Sequence, residues 1–241
     1  MATNDDDDRI ESVVGTNDFA DELDVDAGAR GAIYALLARL FTEADEELYA
    51  ALSAGEVTTE FDALLDQTSL DVEPPNLTVT EDREDLSARY NDLFVVGYSE
   101  VVDKTDGTVY NEGPPVSLYE TDYRPNVSWN DVNLDLARAY EYFGCEVDRE
   151  VRRNHDHLRL ELEFMGYLCR REAAVDSDVA AARLDFHDRH LRVFAEGLAE
   201  ALGTEPGTGL YGRLGGFLNG FTSADVDDLA ARKDDREGDR T

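Results

Sequence analysis

Residues Arg152–Leu168 read RRNHDHLRLELEFMGYL. Two histidines flank an aspartate, and the apolar residues that follow fall into two stripes at helical spacing. Leu158, Leu162, Met165 and Cys169 form one; Leu160, Phe164, Tyr167 and Leu168 form the other. A helix that is apolar on more than one side is packed on more than one side. The stretch therefore predicts the central helix of an all-α domain. With Asn154 as N-cap, His155, Asp156 and His157 take the first three helical positions. Asp156 then sits where the helix dipole favours a negative charge, and His157 lies one turn from Glu161.

Outward from this helix the same rhythm continues. ARGAIYALLARLF places Ile33, Leu36, Leu37, Leu40 and Phe41 at helical spacing. DEELYAALSAG closes at Gly55, which suits a left-handed helix end, TTEFDALLDQ is a third helix, and VEPPN breaks the chain. EDREDLSARYNDLFVVG groups Leu86, Tyr90, Leu93 and Phe94, with acids in the first turn. DVNLDLARAYEYFGCEV groups Leu134, Ala137, Tyr140 and Phe143 and ends at Gly144. Helical patterns resume over 178–203 and 209–233. No alternating strand pattern stands out. The expectation is a single helical domain of about eight helices over 27–222, after an acidic disordered tail over 1–26 and before an acidic helix end or tail over 223–241.

Tyr98–Trp129 interrupts the helices with DGT, NEGPPVS and YRPN, all turn or extended signals. Long loops inside compact domains commonly carry function. This one holds Pro114, Pro115, Tyr119, Tyr123 and Trp129, too apolar for plain disorder.

Asp+Glu number 55 against Lys+Arg 22, a net charge of −33, and the only lysines are Lys104 and Lys233. Abundant periodic apolar residues, 42% of the chain, exclude an acidic disordered protein. A carboxylate-covered surface suits a cytoplasm of very high salt, where self-repulsion is screened. It opposes binding to a nucleic-acid backbone. No run is long and apolar enough for a membrane span, and the N-terminus is acidic where a signal peptide is basic. A cytoplasmic location is expected.

Catalytic signatures are missing. His155 and His157 diverge on a helix; His187 and His190, at i and i+3, share a face, but no HExxH occurs. No histidine precedes His155, which excludes the HD phosphohydrolase pattern. There is no GxSxG or SxxK, GRLGG lacks a following GK[ST], and Cys145 and Cys169 read as small apolar residues. The expectation is a protein with no catalytic residue, metal or cofactor. The alternative is a helical metal-dependent hydrolase using His155, His157, His187 and His190.

DHLRLELEFMGYL resembles the Asp-His-Leu helix of the TorD/DmsD family of redox-enzyme maturation chaperones. ARYNDLFVVG resembles an upstream segment of that family, GPPVSLYETDYR its proline-rich loop, and RGAIYALLARLFTEADEELYAAL its opening helices. The ordered set covers about residues 27–200. One departure is His155, where the family has proline, a residue favoured at the first helical position. The resemblance implies a non-catalytic, all-helical cytoplasmic chaperone, here of a salt-adapted, haloarchaeal type. Its implied partners are the twin-arginine leader and the body of a molybdopterin oxidoreductase catalytic subunit. It implies no nucleic acid and no stable membrane insertion, with a monomer or a domain-swapped dimer. The expected peptide contacts are Pro114, Pro115, Tyr119, Glu120, Asp122, Tyr123, Asp156, His157 and Glu161, the carboxylates of Glu120, Asp122 and Asp156 meeting the leader arginines.

The charge alone generates one test. Near 0.1 M salt the Debye length is about 10 Å, and self-repulsion then outweighs marginal stability. Helical circular dichroism is expected at molar salt and lost on dialysis to that level. A retained helical signal would remove the salt-adaptation reading.

Overall fold

The computed structural model describes residues 23–101, 109–148, 154–174 and 179–238. The expected tail falls on residues 1–22, outside the described residues, except for its last few. Among the described residues the order is α1 (Val25–Leu40), α2 (Glu46–Ala54), α3 (Glu56–Leu65), α4 (Arg83–Phe94), β1 (Tyr98–Val101), β2 (Val109–Glu112), one 3-10 turn (Glu120–Tyr123), α5 (Trp129–Tyr142), α6 (Leu158–Ala174), α7 (Val179–Phe186), a π turn (His187–Leu191), α8 (Arg192–Thr204) and α9 (Leu210–Gly238). The protein is all-α.

Local chemistry sets the helix ends. Asp24, Asp45 and Asp82 cap α1, α2 and α4 with their carboxylates. Gly55, at φ 76°, ends α2 and starts α3 without a break, a conformation few other residues tolerate. Gly144, at φ 74°, turns the chain out of α5.

α6 is the central helix. Leu158, Leu162, Phe164, Met165, Leu168 and Cys169 are buried, on more than one side. α1 packs against it through two glycines. A methyl group at Gly31 would stand 3.0 Å from the Gly166 carbonyl oxygen, and one at Gly166 the same distance from that of Gly31. The crossing is thus as close as two backbones allow. The predicted faces of α1 and α4 are buried, apart from a half-buried Leu36.

Four expectations need correction. α6 begins at Leu158, three residues later than the capping argument gave. The Asp156 carbonyl and the Leu158 N–H pair with an extended segment, to Glu120 and Leu118, instead of with the helix. Leu134 does not join the core: it is 49% exposed, and the buried face of α5 is Val132, Asn133, Leu136 and Tyr140. β1 and β2 form an antiparallel hairpin, Tyr98 opposite Glu112, in a stretch read as without strands; the DGT signal, residues 106–108, lies outside the described residues. Finally, α9 is continuous through residue 223, and Asp225 and Leu229, expected in an end or tail, are buried.

Asp225 explains that burial. Arg30 and Arg183 are fully buried, and both donate to its carboxylate, at 2.9 Å and at 2.6 and 2.8 Å. Tyr34 donates its hydroxyl at 2.7 Å. Arg30 also reaches Asp26, Asp228 and Ser69, and Arg183 reaches Glu172. Burial by itself would raise the Asp225 pKa, but Arg183 and Arg30 hold it below the usual range. The cluster joins α1, α6, α7 and α9. Removing one member of such a pair strands a buried charge, at a cost of about 3–5 kcal/mol. Asp225→Ala is expected to lose that much in denaturant unfolding. A loss near zero would show that water reaches the two guanidiniums.

Candidate functional site

The segment after the hairpin is sewn onto the start of α6. Val116 donates to the Leu93 carbonyl at 3.0 Å, Leu158 to Leu118 at 2.9 Å and Glu120 to Asp156 at 2.9 Å. Tyr119 and His157 face each other as an antiparallel bridge, their rings edge-on at 5.1 Å. The 3-10 turn follows and folds Tyr123 back, its hydroxyl donating to the Ser117 carbonyl at 2.8 Å and its ring 5.5 Å from Phe194. Gly197 makes room for that ring, since a methyl there would lie 2.5 Å from it.

Beneath the segment lies a cluster of buried acids. Glu120, Asp156 and Glu161 are each 0% exposed. Asp156 accepts from the Thr121 hydroxyl, and its N–H donates to Asn133 at 3.4 Å. Glu120 ion-pairs with Arg124 at 2.5 Å and meets His190 Nδ1 at 3.0 Å. The other His190 nitrogen lies 3.1 Å from Asp135. The Glu161 carboxyl lies in hydrogen-bonding contact with that of Glu120. Burial, then the charges of Glu120 and Asp156, push the Glu161 carboxyl well above the usual range. His157 acts as the N-cap of α6: its Nδ1 accepts the Arg159 N–H at 3.1 Å, which that nitrogen does only while it carries no proton.

Among the nine expected contacts, Pro115 and Asp122 are exposed, and Pro114, Tyr119 and Tyr123 are half-buried. Glu120, Asp156, His157 and Glu161 are buried. In this packing Glu120 and Asp156 hold the segment in place and present no carboxylate to an arginine outside. Thr121, Arg124 and Asn133, which the sequence reading did not single out, and His190, which it weighed only as a metal ligand, complete the cluster. Glu120 and His190 are 70 positions apart, so no local pattern announces their contact.

The four histidines serve separate roles. His155 stacks obliquely near Tyr140, His157 caps α6, and His190 bridges Glu120 and Asp135. His187 is buried, and burial lowers its pKa. Among the described residues no group of three or more His, Cys, Asp or Glu side chains is placed to hold a metal ion. Among the described residues no helix is long and apolar enough to cross a membrane.

Two concavities flank α5. One, of about 390 Å³, has a floor of Tyr140, Leu160, Phe164 and Tyr167 and a rim that includes Glu146 and Glu163. The other, of about 520 Å³, lies between α5 and the π turn and is lined by Arg124, Arg138, Arg189 and Arg192.

The model of the family described as "Nitrate reductase delta subunit" matches residues 24–200. The chain belongs to that family. The ordered motifs had pointed to the same TorD-type group of maturation chaperones. A selenate reductase assembly chaperone protein from Thauera selenatis is 39% identical over 82 residues, 32% of this chain and 42% of that protein, so the match spans less than half of that relative. A chlorate reductase assembly chaperone protein from Ideonella dechloratans is 33% identical over 143 residues, 56% and 67% of the two chains. A perchlorate reductase assembly chaperone protein from Dechloromonas aromatica is 25% identical over 214 residues, 83% and 90%. These relatives are named as assembly chaperones, which gives the hydrolase alternative no support.

Glu161 generates a pH test. Its folded pKa lies above its unfolded one, so the folded state binds the extra proton between the two values, and stability falls as pH rises through that window. Glu161→Gln removes this penalty. It is expected to melt several degrees higher than the parent at pH 8, with the advantage shrinking toward pH 4; about 1 kcal/mol corresponds to roughly 2–4 °C at this size. A constant difference across that range would show that Glu161 does not titrate.

Proposed function

We propose that this chain is a cytoplasmic assembly chaperone for the catalytic subunit of a molybdopterin oxidoreductase, binding its twin-arginine leader and holding the subunit during cofactor insertion before Tat export. The observation that carries this reading is family membership together with relatives named as assembly chaperones of selenate, chlorate and perchlorate reductases. The charge supports a salt-adapted host.

A leader of this kind offers two arginines and an apolar run. In this reading Pro114, Pro115, Tyr119, Asp122 and Tyr123 form the outer contact surface of the 114–123 segment. Glu120, Asp156, His157 and Glu161 fix its shape from below. The arginines go to the concavity at the α5–α6 end, where carboxylates stand over an apolar floor. Glu163 there pairs with Arg159 at 2.6 Å, both partly exposed, so an incoming guanidinium can exchange for Arg159. Glu146 is exposed at the same rim. Such sites work at high salt because long-range attraction is screened while direct bidentate pairs and apolar burial persist.

The test is titration of a fluorescent twin-arginine leader peptide in molar potassium chloride. Glu146→Gln with Glu163→Gln is expected to weaken binding at least tenfold, the worth of one charged hydrogen bond at about 1.5 kcal/mol, with the melting temperature unchanged. Unchanged affinity in the folded variant would move the arginines elsewhere. No binding by the parent protein would defeat the leader-binding reading.

A further inference from the structure

The concavity between α5 and the π turn reverses the character of the chain. Overall, acids outnumber bases 55 to 22. Here Arg124, Arg138, Arg189 and Arg192 outnumber Asp131, Asp135 and Asp188. Two of the arginines are occupied, Arg124 by Glu120 and Arg189 by Asp135 and Asp185. Arg192 is only loosely held, with its nearest carboxylate oxygens at 3.9 and 4.0 Å. Arg138 is exposed and makes no ion pair with a described residue. Beside these cations stand exposed aliphatic side chains, Val127 at 41% and Leu134 at 49%.

Leu134 is the informative residue. It fits the helical period of α5 yet faces outward, into the groove, while Val132, Leu136 and Tyr140 make the core contacts. An exposed leucine beside an exposed arginine sets an apolar contact next to a guanidinium, and arginine is enriched at the centres of interfaces.

We propose that this groove binds a carboxylate-bearing amphipathic segment of a partner protein, on a site separate from the leader groove. The proposal rests on the chaperone reading and names the surface that meets the client body. Charge complementarity selects the occupant: guanidinium groups take carboxylates in bidentate pairs, and Val127, Leu134 and Val193 match an apolar stripe between them. A small anion such as phosphate would leave the aliphatic wall unused and would face three aspartates. The chain's own acidic residues 1–22 lead into α1, whose start is hydrogen-bonded to Ala173 at the far end of α6.

The experiment uses the full chain and two fluorescent peptides of the same helical apolar pattern, one carrying glutamates and one carrying glutamines at the polar positions. Fluorescence anisotropy in molar potassium chloride is expected to show at least tenfold tighter binding of the glutamate peptide. Arg138→Glu is expected to erase that preference, and Leu134→Ser to weaken both peptides, with melting temperatures unchanged. The twin-arginine leader peptide, titrated in parallel, should bind parent and variants alike. Loss of leader binding by the parent protein would strike the chaperone reading instead, so the two failures are distinguishable. The proposal is overturned if the parent shows no preference for the glutamate peptide or if Arg138→Glu retains one. It is also overturned if millimolar inorganic phosphate displaces the peptide, if deleting residues 1–22 is needed to open the site, or if sedimentation shows the groove closed by a second copy of the chain.

Discussion

Asp225 sits between two guanidiniums that have no access to water. Arg30 comes from α1 and Arg183 from α7; the carboxylate comes from α9, nearly 200 positions after Arg30. Isolated, each of these charges would be too costly to bury. Together they oblige three helices to meet at one point on the central α6, where Tyr34 and Glu172 complete the set. The close Gly31–Gly166 crossing brings α1 near enough for this to happen. In a chain of −33 the core thus spends two of its few cations on position, and the surface is left with the remaining imbalance.

The other buried cluster is built around three carboxyl groups. Glu120 meets Arg124 and the His190 ring, and burial together with the charges of Glu120 and Asp156 raises the Glu161 pKa. This arrangement orders the 116–124 segment through backbone pairing with residues 156–158 and through side-chain hydrogen bonds to Asp156. The Asp-His pair therefore acts first on shape. Its aspartate anchors the loop and its imidazole caps the central helix, so a chemical group that looks reactive in the sequence serves as a fastener.

On either side of α5 this leaves two surfaces of unlike character, one acidic over an aromatic floor and one rich in arginine beside exposed aliphatics. A chaperone that holds an unfinished enzyme meets both a basic, apolar leader and a folded or folding body. In the proposed reading, these two grooves give separate addresses for such parts, and neither depends on long-range attraction that high salt would screen.

The sequence alone determined the all-α class, the central position of α6, the helix ends at Gly55 and Gly144 and the family, because these follow from periodicity, capping chemistry and ordered motifs. It placed Asp156 and Glu161 together correctly, since they are neighbours in the chain. Tertiary structure decided the rest. Helical period grouped Leu134 with Ala137, Tyr140 and Phe143, but α5 packs through Val132, Asn133, Leu136 and Tyr140 and leaves Leu134 49% exposed. Residues 155–157 fit a helix start by pattern, yet the extended segment from 118 to 120 competed for their hydrogen bonds and won. Asp225 was one aspartate among many in an acidic C-terminal stretch, and only the arrival of Arg30 and Arg183 from distant helices made it a core residue. Contacts across 42 to 195 positions leave no periodic trace in the chain, because they are fixed by how helices pack and by which buried charge finds its counter-charge.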